Sequence, residues 1–135
     1  MADNADWNWT SRQVIVTGGA GFVGSHLCEA LVELGAEVVC IDALSAGKRA
    51  NIGFLEGRPN FRFAQLDVCD SGPRMDALVK GTDTIFHNAA SKKNVCLIDP
   101  QRDLEVNAGG TLNLLQKARE HGVRKFVHAS TGWVY

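Results

Sequence analysis

Three glycines are the residues best placed for chemistry. Gly18, Gly21 and Gly24 recur at every third position within Thr17-Gly-Gly-Ala-Gly-Phe-Val-Gly24. The loop follows a short β-branched run, Gln13–Thr17 (QVIVT), and leads into apolar residues at helical spacing. In that context a glycine loop reads as a cradle for phosphate. Gly18 permits a tight turn, Gly21 lets the main chain approach a pyrophosphate, and Gly24 lets the helix pack close to the strand. The helix N-terminus then offers N–H groups and partial positive charge to the anion. Phe22 and Val23 are counted in the same cofactor-binding loop. No GxxxxGK[ST] is present, so a mononucleotide P-loop is not supported. Asp42 lies 18 residues after Gly24. A carboxylate there suits the hydroxyls of an adenosine ribose and repels a 2′-phosphate, which favours NAD over NADP. Lys48 and Arg49 nearby could blunt that preference, and a loop-capping aspartate is the plain structural alternative.

The elements that must position these residues alternate in type. Buried strands are expected at Gln13–Thr17, Glu37–Asp42 (EVVCID), Phe61–Leu66, Thr82–His87 and Lys125–Ala129. A first helix is expected to bury Val23, Leu27, Ala30, Leu31 and Leu34, and Gly35 ends it. Ser45–Leu55 is polar, with one short helical turn. Asp70 or Ser71 should cap a short helix through Lys80, with Pro73 in its first turn. Asp99-Pro100 opens a long helix whose core stripe reads Leu104, Ala108, Thr111, Leu115 and Ala118, and Gly122 stops it. A bulky residue at Gly109 or Gly110 would push this helix off the sheet. His87 and His128 read as core histidines, and His26 and His121 as helix-surface ones. Strand and helix in alternation imply right-handed crossovers and a parallel sheet. The expected fold is α/β and doubly wound, with strand order 3-2-1-4-5 and a ligand across the carboxyl ends of the first and fourth strands.

The motifs occur in a fixed order: TGGAGFVG, Asp42, QLDV at Gln65–Val68, FHNAA at Phe86–Ala90, VNxxGT at Val106–Thr111 and ASTGWVY at Ala129–Tyr135. This set closely resembles the extended short-chain dehydrogenase/reductase family, in its NAD-dependent sugar epimerase/dehydratase branch (UDP-glucose 4-epimerase-like). The resemblance covers nearly all of Arg12–Tyr135. It implies a Rossmann-type NAD-binding domain over residues 12–135, after a polar tail at 1–11. It places Asp67 and Val68 at the adenine. Asn88, Ala89 and Ala90 fall beside the ribose and nicotinamide, although relatives usually read HLAA or HQAA, so that Asn88 is a departure. Asn107 lies on the helix side facing strand four, and Ala129 and Ser130 fall on the cofactor side. Thr131 takes the catalytic Ser/Thr position, four residues before the VY tyrosine, and would hydrogen-bond the substrate oxygen as a proton relay. Lys92 and Lys93 stand at the cleft edge, where they could meet a substrate phosphate or simply solvate a loop.

The family's general base is the tyrosine of a YxxxK motif, its pKa lowered by the lysine. Tyr135, the single tyrosine, matches the VY position that precedes it. The chain is therefore expected to be the N-terminal part of a longer protein, inactive alone and truncated before the last strands and the substrate region. The parent is expected to use NAD for transient oxidation of a nucleotide sugar, most simply a UDP-sugar, as a cytoplasmic homodimer. Alternatives are a non-catalytic NAD-binding sensor, or a same-fold reductase of a steroid- or flavonoid-type ketone. Composition agrees: 135 residues, 45% hydrophobic, 21% charged and net charge −1 describe one globular domain with no basic surface for nucleic acid. No apolar run reaches a membrane span, and the N-terminus has no secretory pattern. Cys28, Cys40, Cys69 and Cys96 have gaps of 12, 29 and 27. No zinc spacing fits, so no metal is expected, and reduced thiols point to the cytosol.

Overall fold

The computed structural model describes residues 8–131, so the role given to Tyr135 lies outside the described residues. Five strands form one parallel sheet in the order β3-β2-β1-β4-β5, as the alternation predicts. They are β1 (Gln13–Thr17), β2 (Glu37–Asp42), β3 (Phe61–Gln65), β4 (Thr84–His87) and β5 (Lys125–His128). The central strand β1 sends side chains into two separate cores. Ile15 joins Ile41, Ile85, Met75 and Leu114 on one face. Val14 and Val16 join Cys28, Leu31, Val32 and Cys40 on the other. Burial on both faces explains why β1 and β2 read as continuous apolar runs rather than alternating ones. Trp9, assigned by sequence to the polar tail, packs on Phe86 with ring centroids 5.8 Å apart.

Helix α1 (Phe22–Glu33) buries Gly24, Ser25, Cys28, Leu31 and Val32. The expected stripe is thus rotated: Val23 is 64% exposed, Leu34 56%, and Ala30 also faces solvent. The glycine loop sets this phase. A Cβ on Gly24 would lie 2.2 Å from the Gly18 carbonyl oxygen and 2.7 Å from Gly19 Cα. Gly24 therefore packs on the loop's own backbone rather than on the strand, and its face must turn inward. Helix α2 (Pro73–Val79) begins after Gly72 with no side-chain cap, so neither Asp70 nor Ser71 caps it. Asp70 Oδ1 instead accepts from the Gly72 N–H at 2.7 Å and closes the turn before the helix.

The expected long helix runs without a break over residues 100–120, but it is not uniform. A short helix α3 (Lys93–Ile98), not anticipated, precedes α4 (Pro100–Leu104), which Asp99 caps by accepting from Arg102 N–H at 3.0 Å. A π-helical turn over Glu105–Gly110 then leads into α5 (Thr111–Glu120). A π turn inserts one residue relative to the α pattern and shifts everything after it. Leu114, not Leu115, is therefore fully buried, with Lys117 and Ala118 beside it. Leu104, Ala108 and Leu115 are exposed, against expectation. The close contact belongs to Gly110, where a Cβ would sit 2.5 Å from Val68 Cγ2; Gly109 has open space. Lys117 Nζ reaches Asp76 Oδ1 at 2.6 Å and ties α5 to α2. His121, expected on the helix surface, is half-buried against the same carboxylate at 3.1 Å.

His87 crosses from sheet to helix. It is 1% exposed, as a core histidine should be. Its Nδ1 lies 2.7 Å from Thr17 Oγ1, and its Nε2 lies 2.8 Å from Thr111 Oγ1. Thr111 donates its one hydroxyl proton to the Asn107 carbonyl at 2.7 Å. Nε2 therefore carries the imidazole proton, and Nδ1 accepts from the Thr17 hydroxyl. Thr17 Oγ1 in turn accepts from Ala89 N–H at 3.2 Å. His128 departs from its expected core position: β5 is an edge strand, and His128 is exposed, stacked on His87 at 5.3 Å.

Burial and the neighbouring His128 lower the His87 pKa to about 4. A histidine lowered on folding takes up its proton more readily in the unfolded chain, so its contribution is intact above pH 6.5 and is lost as pH falls toward 4. Asp67, Asp76 and Asp83 also have lowered values, but their stabilisation is lost only as pH falls below the usual carboxylate range. Urea unfolding should therefore show about 2 kcal/mol less stability at pH 5 than at pH 7 from His87 alone. The difference should shrink in His87→Gln; an equal pH dependence in that variant would refute the assignment.

Candidate functional site

A cavity of about 490 Å³ opens at the carboxyl ends of β1, β2 and β4, where the strand order reverses. Its size suits a small-molecule or cofactor site. Gly18, Gly21 and Phe22 form one wall, Asp42 and the turn Ser45–Lys48 a second, and Asn88, Ala89 and Ala90 a third. Asp67, Val68, Arg102 and Val106 close the end beyond β3.

Gly18 has φ +65°, and a Cβ there would meet Ala89 N at 2.8 Å. Both facts demand glycine. A Cβ on Gly21 would meet only the Gly18 carbonyl oxygen, at 3.2 Å, and otherwise project into open space. Gly19, which the spacing argument passed over, is constrained as well: its Cβ would fall 2.4 Å from Cys40 Sγ. Cys28 and Cys40 thus floor the loop. Hydrogen bonding to Cys28 and burial push the Cys40 thiol far up, which makes it an inert filler.

Asp42 is 8% exposed. Its Oδ2 accepts from Ala20 N–H at 3.0 Å and its Oδ1 from Leu44 N–H at 2.8 Å. It therefore does cap the loop. It also lines the cavity, and each carboxylate oxygen keeps a further lone pair. Sequence reasoning missed the turn after it. Gly47 passes so close that its Cβ would lie 2.8 Å from Asp42 Oδ2, and Asn51 Nδ2 donates to Ala20 O at 2.8 Å. The polar stretch Ser45–Leu55, expected to hold one short helical turn, holds two 3₁₀ turns, Arg49–Asn51 and Gly53–Leu55.

Arg102 was also missed. It donates to Asp67 Oδ2, while Cys69 N–H donates to Asp67 Oδ1 at 2.8 Å. Burial alone would raise the Asp67 pKa; the Cys69 amide and the guanidinium more than offset this and hold the carboxyl below its usual value. Nothing in the spacing of Arg102 marks it, since α4 brings it over from 35 residues away. With Lys48 and Lys92 it gives the lining three cations against the carboxylates of Asp42 and Asp67.

The remaining expected residues lie off the cavity. Val23 points to solvent and Gly24 lies under the loop. Lys93 starts α3, away from the lining. Asn107 is on the side facing strand four, where its Oδ1 accepts from Ser91 N–H at 2.8 Å and so supports the wall from behind. Ala129, Ser130 and Thr131 follow β5 and are exposed. Among the described residues one histidine–carboxylate cluster, Asp76, Glu120 and His121, lies on the α2–α5 surface, with Lys117 already on Asp76.

The residues fit a dinucleotide. The glycine cradle is open where a Cβ would fill it, the lining carries surplus positive charge, and one buried amide nitrogen, Asn88 Nδ2, has no partner. Comparison with known proteins agrees. The chain is 39% identical to UDP-glucose 4-epimerase of Mycolicibacterium smegmatis, over 89% of its own length and 39% of the relative's. It is 38% identical to dTDP-glucose 4,6-dehydratase of Streptomyces griseus, over 93% of the chain and 39% of the relative. A solved UDP-glucose 4-epimerase of Stenotrophomonas maltophila, with bound NAD and formylated UDP-arabinopyranose, superposes with a TM-score of 0.81 at 35% identity; 92% of this chain matches 38% of that one. The chain thus spans about two-fifths of the length of these relatives. Residues 14–135 match the NAD dependent epimerase/dehydratase family, and the chain belongs to it.

Proposed function

We propose that this chain is the NAD-binding portion of a nucleotide-sugar epimerase or dehydratase. The observation that carries the reading is the cavity at the strand-order reversal, floored by a glycine loop that leaves open space at Gly21. Gly18, Gly21 and the N-terminus of α1 would receive the pyrophosphate. Asp42 would accept from the adenosine ribose, and Asp67 with Val68 would meet the adenine. Ala89 and Ala90, with no side chain beyond Cβ, would let the nicotinamide half lie against β4. NAD, when bound, supplies a hydride acceptor that later returns the hydride. Thr131, at the carboxyl end of β5, is assigned to the substrate oxygen, with Ala129 and Ser130 beside the cofactor.

The substrate class follows from the relatives, which act on sugars carried by UDP or dTDP, and a UDP-sugar is the simplest assignment. A homodimer is supported by Leu97, Ile98, Leu104 and Leu112, exposed on α3, α4 and α5 with no described residue covering them. Free thiols at all four cysteines support a reducing, cytoplasmic compartment. Among the described residues no helix is long and apolar enough to cross a membrane.

Isothermal titration should give tighter binding of NAD than of NADP, because the Asp42 carboxylate opposes a 2′-phosphate. Tighter binding of NADP would remove Asp42 from the ribose. Gly21→Val should abolish NAD binding, with a circular dichroism spectrum like that of the parent chain, since the new side chain enters the cavity rather than a core. Binding at parental affinity would place the pyrophosphate elsewhere.

A further inference from the structure

Ala20 is the one residue of the loop 18–21 that is not glycine. Three hydrogen bonds link it to the segment after β2. Its N–H donates to Asp42 Oδ2 at 3.0 Å, and its carbonyl oxygen accepts from Lys48 N–H at 3.0 Å and from Asn51 Nδ2 at 2.8 Å. Both lone pairs of that oxygen are therefore taken. The approach is close: a Cβ on Gly47 would lie 2.9 Å from the Ala20 carbonyl carbon. Lys48 lends only its backbone N–H, which any residue except proline supplies. Asn51 is thus the one side chain among the described residues that donates to this carbonyl.

The carbonyl belongs to the peptide that joins Ala20 to Gly21, beside the space assigned above to a pyrophosphate. In a trans peptide the oxygen and the hydrogen point opposite ways. Here the oxygen faces the turn after β2, and the Gly21 N–H faces back to Gly18 O at 3.0 Å. Helix α1 starts at the next residue, and its first N–H groups have no partner within the helix. Those groups favour an anion as long as no carbonyl oxygen turns in among them. Glycine at position 21 leaves the peptide unusually free to rotate. Rotation would swing the partially negative Ala20 oxygen toward the open space beside Gly21.

We propose that Asn51 is a positioning residue for anion binding: its amide holds the Ala20 carbonyl oxygen on the turn after β2 and so keeps that oxygen out of the space a phosphate would fill. The proposal rests on the NAD reading above and deepens it, because it divides the binding energy between two halves of the ligand. Asp42 serves the ribose directly. Asn51 serves the pyrophosphate through the loop and touches no ligand atom itself. Loss of its amide should cost affinity only for ligands that carry phosphate.

Titration of the parent chain, Asn51→Ala and Asn51→Leu with NAD, ADP and adenosine tests this. NAD and ADP should bind about three- to tenfold more weakly to both variants, the range that one neutral hydrogen bond supplies. The two variants should lose alike, because the donor matters and the volume does not. Adenosine should bind all three proteins equally, which also shows that the variants are folded. Parental affinity for ADP in either variant overturns the proposal and leaves the NAD reading standing. A loss of adenosine binding as large as that of ADP also overturns it, by showing that Asn51 supports the nucleoside or the fold as a whole. Failure of the parent chain to bind NAD overturns the proposal together with the reading it rests on.

Discussion

The constraint on which the site depends is a close approach between two pieces of backbone. Gly18 ends its turn so near Ala89 that a Cβ would lie 2.8 Å from the alanine nitrogen. This contact joins the first crossover of the fold to the fourth strand, at the point where the strand order turns back on itself. The other features depend on it. It brings the loop and the wall after β4 to opposite sides of one cavity. It also forces φ +65° at Gly18, which directs the chain over Cys40 and into α1. The same packing fixes the phase of α1 through Gly24. The loop is thus packed on two sides, its floor filled by two thiols and its rear by its own carbonyl.

Side chains reinforce that contact from behind. The hydroxyl of Thr17, the ring of His87, the hydroxyl of Thr111 and the carbonyl of Asn107 form one directed series of hydrogen bonds. It begins at the Ala89 amide and ends in the π turn. The Asn107 side chain then returns to Ser91. The wall is held at two amides by a network whose donors and acceptors are all assigned by elimination. Such a network has one low-energy arrangement, and each member is satisfied.

Much of this was legible in the sequence where local pattern and tertiary demand coincide. β1 and β2 carry β-branched runs because both faces are covered, and the glycine spacing sits at a strand-to-helix junction, which is its only structural use here. His87 read correctly because its strand is paired on both sides, by β1 and β5, and its ring is covered. His128 did not, since the same pattern on an edge strand lies uncovered, and edge position is a property of the sheet. The helix stripes failed for a related reason. Periodicity gives an angular spacing but not its phase, and in α1 the phase is set by glycine contacts with no side chain to announce them. Arg102 and Asn51 were invisible because their partners, Asp67 and Ala20, lie 35 and 31 residues away. Neither pair has a spacing rule.

The π turn over Glu105–Gly110 has an effect on how insertions and deletions are tolerated here. It is the place where this helix absorbs one residue without breaking. Losing a single residue between positions 105 and 110 would restore uninterrupted α geometry and turn the rest of the helix by about 100°. Leu114 would leave its core, Lys117 would leave Asp76, and Thr111 would leave His87, although no contact residue had been replaced. Length in this segment is therefore under tighter constraint than residue identity, apart from Gly110, and a one-residue gap there marks a change of architecture rather than a neutral difference between relatives.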